Sequence, residues 1–188
     1  MNIPPLGPLV VLTLRRPAEA ARQILTLDLG REAVWLSFFL VVVFNCLIQL
    51  STDLIIPTPD AQLNPEAEGI PFILIRSAGA MLLSVAAFLL VGRVLGGNAT
   101  LSGLLTLMIW LSFLQSGALL AMVISSVTIP ALTFLLLLAT LGWSLYITLH
   151  FLNEAHQFGS LGKAFAVILL AAIVALPIVL MFTPTGPV

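Results

Sequence analysis

The chain has 188 residues, 60% of them hydrophobic and only 8% charged, with a formal net charge of −1 and a mean hydropathy of +1.18. A water-soluble domain carries about 25% charged residues, so most of this surface faces lipid or other apolar helices. No concentrated basic surface is present, which excludes a nucleic-acid partner, and the single cysteine, Cys46, excludes an intramolecular disulfide.

The first 30 residues read as a cytoplasmic, interfacial segment. Leu6, Leu9, Val10, Val11, Leu12 and Leu14 make a short apolar patch that ends at Arg15 and Arg16. Pro17 suits the first turn of a following helix. In that helix Ala18, Ala21 and Leu25 share one face. Two short helices lying in the inner membrane interface are expected; the alternative is an ordered tail packed on the loops.

A span needs roughly 20 mainly apolar residues, and five segments of 31–182 qualify: about 33–51, 71–94, 101–126, 130–151 and 163–182. The first reads as a retained span, because it has no small-x-small exit for cleavage. Only helices satisfy every backbone group within one apolar segment. The expected fold is therefore all-α: a polytopic membrane protein of five transmembrane helices, with 183–188 as an outside tail. Between the spans stand Pro57, Pro59 and Pro65, then Gly96, Gly97 and Asn98, then Ile129 and Pro130, then Gly159 and Gly162.

Basic residues set the direction. If five spans alternate, Arg15, Arg16, Arg22, Arg31, Arg93 and Lys163 all lie on one side, with Arg76 alone nearer the other. The opposite side carries the acidic loop with Asp53, Asp60, Glu66 and Glu68. The amino terminus is expected inside and the carboxyl terminus outside.

Two polar groups interrupt the apolar spans. Asn45, Gln49 and Asp53, spaced i, i+4, i+8, form one stripe of the first span. Arg76 enters the second span at about the depth of Gln49. A mid-bilayer arginine costs about 2.5–3.5 kcal/mol, which favours a partner: Arg76 is expected to face the bundle and pair with Asp53, with Gln49 and Gln115 beside it. The alternative is an arginine that snorkels to the headgroups. The second group, His150, Asn153, Glu154, His156 and Gln157, lies at the cytoplasmic end of the fourth span. His150 and Glu154 are i, i+4 neighbours and, with His156, could hold a metal ion. A catalytic metal also requires a supporting shell, so the expectation is a polar helix end with no metal and no cofactor. Small-residue pairs, Ala80 with Ser84 and Ser112 with Ser116, point to close packing of the second and third spans.

Two stretches carry a likeness beyond topology. VGRVLGGNATLSGLLTLMIW (91–110) leads a Gly-Gly turn into the third span. GWSLYITLHFLNEAHQFGSLGKAFAVILL (142–170) places Trp143, His156, Ser160, Lys163 and Ala164 as in bacterial members of the Yip-one domain family. The chain resembles that family's bacterial branch over most of 15–182, and it has neither the long cytosolic region nor the Asp-Leu-Tyr-Gly-Pro motif of eukaryotic members. The resemblance implies a bacterial inner-membrane protein with a cytoplasmic amino terminus and a periplasmic carboxyl terminus. Vesicle-trafficking roles of eukaryotic members do not transfer.

Three functions are open to such a chain. A non-enzymatic adaptor, scaffold or assembly factor would use the lipid bilayer and other membrane proteins, or further copies of itself, as partners. A small transporter or channel would use the stripe of Asn45, Gln49 and Asp53 with Arg76, although five spans do not divide into the equal repeats common in transporters. An enzyme or metal protein would have to work through His150, Glu154 and His156. The first is the expected one.

Overall fold

The structure, a computed structural model, describes residues 5–27, 29–55 and 69–182. Among these residues the regular elements are seven helices: α1 (Leu6–Arg15), α2 (Pro17–Leu25), α3 (Arg31–Ile55), α4 (Ile70–Val94), α5 (Leu101–Thr128), α6 (Pro130–His156) and α7 (Leu161–Phe182). Four of them, α3 to α6, are long and apolar enough to cross a membrane. In α7 the run Leu161–Pro177 is a shorter apolar helix. The expected acidic loop and the tail at 183–188 lie outside the described residues, as does the side chain of Asp53.

Local chemistry explains where the helices start and stop. Pro71 and Pro130 occupy first-turn positions, where a missing N–H removes no helical hydrogen bond. Thr100 caps α5 by accepting from the Gly103 amide at 3.1 Å, which satisfies one of the first-turn donors. At the end of α4 Gly96 has φ +85°. Its amide donates to the Arg93 carbonyl (3.0 Å), and the Gly97 amide reaches the Gly92 carbonyl (2.8 Å). This crossed pair is the Schellman arrangement, which needs a left-handed residue. At the end of α6 the left-handed residue is Gln157, φ 57°. There Asn153 closes the turn: its carbonyl accepts from the Phe158 amide and its side-chain oxygen from the Ser160 amide at 2.9 Å.

Helix α5 is the hub, packed against α3, α4 and α6, while α7 packs on α4 and α6. The α5–α6 connection is one residue, Ile129, so those helices form the expected antiparallel hairpin. Helix α2 does not lie apart from the bundle. It sits on α6 and α5, with α1 packed on α2. Its buried face is Pro17, Ala20, Ala21 and Ile24, a helical i, i+3, i+4, i+7 set. That face is rotated from the expected one of Ala18, Ala21 and Leu25.

Burial is uneven along the bundle. Leu104, Leu105, Leu107 and Met108 at the start of α5, Phe151 and Leu152 at the end of α6, and Ala164 and Val167 at the start of α7 are all enclosed. This is the end that α2 covers. By contrast Leu132, Phe134, Leu135, Leu138 and Leu141 of α6 are exposed, as apolar side chains are where lipid is the solvent.

Candidate functional site

The polar residues of the α6 end are close in sequence, but the structure sends each to a different partner. Glu154 receives a two-pronged contact from Arg22 of α2, Nε to Oε2 at 2.8 Å and Nη2 to Oε1 at 3.0 Å. This forked geometry is what a guanidinium offers a carboxylate. The hydrogen bond first, and the carboxylate charge second, hold the Arg22 pKa above its ordinary value. His150 lies 4.7 Å, edge to face, from the Tyr146 ring. Asn153 serves the turn into α7. Among the described residues no three His, Cys, Asp or Glu side chains approach one point closely enough to share a metal ion.

His156 turns inward instead and is 1% exposed. Its ring stacks on Phe158 at 4.9 Å and 12°, and Lys163 Nζ lies 5.9 Å from the other ring of that stack. Its backbone carbonyl accepts from the Asn98 amide at 3.1 Å, which ties the α4–α5 turn to the α6 end. The imidazole fills the space where a Cβ on Gly92 or Gly97 would stand. Among the described residues neither ring nitrogen has a hydrogen-bond partner. The Phe88 carbonyl acts on the ring from nearby without hydrogen-bonding geometry.

The intramembrane stripe is also divided. Asn45 is half-buried, and its side-chain oxygen accepts from Ser116 Oγ of α5; Ser116 also reaches the Ser112 carbonyl at 2.8 Å. The Ser112/Ser116 pair therefore serves the α3 contact, although α4 and α5 do touch. Gln115 donates to Ser144 Oγ of α6 at 2.6 Å. Gln49 is half-buried, and Arg76 is on an exposed face of α4, where it makes an interaction of its own. The expected partner atom of Asp53 lies outside the described residues.

Contacts of the amino-terminal helices were not among the sequence expectations. Thr13 is fully buried; its hydroxyl donates to the Leu9 carbonyl at 2.8 Å and accepts from Trp110 Nε1 of α5 at 2.9 Å. Trp143 Nε1 of α6 donates to the Leu14 carbonyl at 3.2 Å. Leu25 Cδ2 stands 3.0 Å from the point a Cβ on Gly103 would take. The signal available in the sequence was two tryptophans within the apolar spans, Trp110 and Trp143, whose N–H groups favour an acceptor.

Long apolar helices, an apolar exposed surface and polar groups spent on helix contacts define a polytopic helical membrane protein. The Yip1 domain matches residues 11–182, nearly the whole chain, and the protein belongs to that family. No curated protein and no solved structure matches it.

Proposed function

We propose that this protein is a non-enzymatic adaptor, scaffold or assembly factor that holds other membrane proteins, or further copies of itself, through its helix faces. The observation that carries the reading is the exposed side of α6. From Leu132 to Tyr146 it presents leucine, phenylalanine, tryptophan and tyrosine, while Glu154, Asn153, Gln115 and Asn45 are engaged in holding helices and turns together. In lipid, helices associate through packing and a few interhelical hydrogen bonds. A long face with internal polar groups already engaged fits a binding role.

The chain is read as having five spans, with α7 as the fifth. Its 22 residues extend about 33 Å at 1.5 Å per residue, against a hydrocarbon core of about 30 Å. The contacts of Arg22 with Glu154 and of Asn98 with His156 support one basic end of the bundle. By the positive-inside rule that end is cytoplasmic, and the bacterial inner membrane is the proposed location.

A photo-crosslinking amino acid placed at Leu135 or Leu138 tests the adaptor reading in native membranes. Discrete protein adducts at these positions, and not at buried Leu105, are expected. Lipid adducts alone at every α6 position, together with a monomer in nanodiscs of several lipid compositions, would overturn it. A second reading, a small transporter, draws on the packing of α3 against α4, which brings the helix of Asn45, Gln49 and Asp53 beside that of Arg76. There Arg76 would pair with Asp53. Liposome flux that is abolished by Asp53→Leu would establish it in place of the first.

A further inference from the structure

Between α5 and α6, beneath α1, lies a cleft of about 220 Å³ lined mainly by apolar groups such as Leu14, Leu111, Ala118, Ala139 and Trp143, with Thr140 and the mutually hydrogen-bonded Gln115 and Ser144 also in its wall. The paired alanines leave this gap where larger residues would close it. An apolar cavity of about 150 Å³ stays dry and accepts benzene, so this one has room for a longer hydrocarbon. The cleft shares Leu14 and Trp143 with a second basin, of about 600 Å³, whose other walls are Arg15, Gly142 and Tyr146. Trp143 holds the rim by its hydrogen bond to the Leu14 carbonyl.

Polarity therefore changes along one path: mainly apolar walls, in which the Gln115 amide and the Ser144 hydroxyl are bonded to each other, then an indole, then a phenol and a guanidinium. Electrostatics fixes the sign of what ends there. On this segment Arg16 is paired with Glu19 at 3.3 Å and Arg22 with Glu154. Among the described residues Arg15 has no carboxylate within ion-pair distance. The exposed apolar side chains Leu6, Val11 and Leu14 place the rest of α1 against lipid, so Arg15 stands at headgroup level at the end of a hydrophobic helix.

We infer that this path is a binding site for an anionic phospholipid, with part of one acyl chain in the α5–α6 cleft and the phosphate at Arg15. Its occupant would fasten α1 to the bundle; the site shares Trp143 and Tyr146 with the exposed α6 face, but its support does not rest on that face binding a protein.

The test uses the full chain in phosphatidylcholine nanodiscs doped with chain-brominated phosphatidylglycerol or chain-brominated phosphatidylcholine. Trp143 emission is read as the difference between the native chain and Trp143→Phe. Half-quenching is expected at an about five-fold lower mole fraction of the anionic lipid, the preference one arginine near an anionic surface supplies. Arg15→Gln should bring the two lipids to parity, Arg15→Lys should keep most of the preference, and Ala118→Phe should block quenching by either lipid. Because Arg15 is exposed, its substitution leaves the packed core intact and isolates the charge. Equal half-quenching in the native chain, or an unchanged preference in Arg15→Gln, would overturn the inference. So would displacement by millimolar inorganic phosphate, which would assign the basin to a free anion.

Discussion

His156 is confined on several sides by groups that cannot retreat. A Cβ on Gly97 would lie 2.7 Å from its Cβ and Cγ, and one on Gly92 would meet its ring atoms. Overpacking of this kind costs about 1–3 kcal/mol. Gly97→Ala should therefore lower thermal stability in detergent more than Gly92→Ala. At Gly92 the new methyl meets the ring, and alanine regains about 1 kcal/mol of helix propensity. The cause is separable by a cycle. Gly97 is not at positive φ, whereas Gly96 is, so in a His156→Gly background, which removes the Cβ as well as the ring, Gly97→Ala should become nearly neutral while Gly96→Ala costs the same as before. A Gly97→Ala penalty that persists without any side chain at 156 would show that the backbone, not His156, demands the glycine. The Gly-Gly turn itself was legible, because paired glycines between apolar runs signal a chain reversal. The reason for the second glycine was not, since it depends on a side chain at the end of another helix. His150 and Glu154 taught the converse: i, i+4 spacing placed them on one face of α6, but His150 packs on Tyr146, one turn earlier in the same helix, while Glu154 pairs with Arg22 of α2.

At the scale of elements, the α1–α2 pair is held by a few well-placed contacts. The break between them follows from Arg15, Arg16 and Pro17, and its position agrees with the sequence reading. Their docking does not follow from local pattern, because an amphipathic helix on a membrane and one on a protein carry similar stripes. Thr13 decides the difference: its hydroxyl gives Trp110 an acceptor inside the bundle. Thr13→Val should cost about 1–2 kcal/mol, since a polar N–H loses its partner on removal of the other half, and Trp110 emission should shift. Thr13→Ser should preserve both; an equal loss in the serine variant would assign the effect to methyl packing. The Arg22–Glu154 pair should behave differently. The Arg22 side chain is 64% exposed, and exposed pairs are weak and screened by salt. Arg22→Gln is therefore expected to speed hydrogen exchange in residues 17–25 at low ionic strength, with little change in global melting. Ala21→Leu, at a fully buried position, should lower the melting point whatever the salt.

At the scale of the molecule, the helices are longer than the bilayer requires. The 28 residues of α5 and 27 of α6 extend about 42 and 40 Å at 1.5 Å per residue, roughly 10 Å beyond a hydrocarbon core of about 30 Å. Hydropathy alone cannot place the surplus of α5, which carries no charged residue from end to end. Burial can: the enclosed leucines and Phe151 lie where α2 covers the bundle, and α6 is exposed from Tyr146 back to Leu132. Tryptophan and tyrosine favour the membrane–water boundary, and Trp110, Trp143 and Tyr146 stand between these two zones. The boundary should cross them, not the start of α5 at Leu101. In a Cys46→Ala background, cysteines at Asn98, Ser102 and Gln157 should all react with a water-soluble maleimide from the side of the amino terminus. A cysteine at Ile129 should react only from the opposite side, and cysteines at Leu120 and Leu138 from neither. Ser102 is the deciding position, because it is exposed yet lies inside the apolar run. Protection there, with Asn98 still reactive, would move the boundary to the helix end and leave α1 buried in hydrocarbon with Arg15. Reaction of Asn98 and Gln157 from opposite sides would contradict the α4–α6 contact itself, and with it the alternation of spans on which the direction of the chain rests.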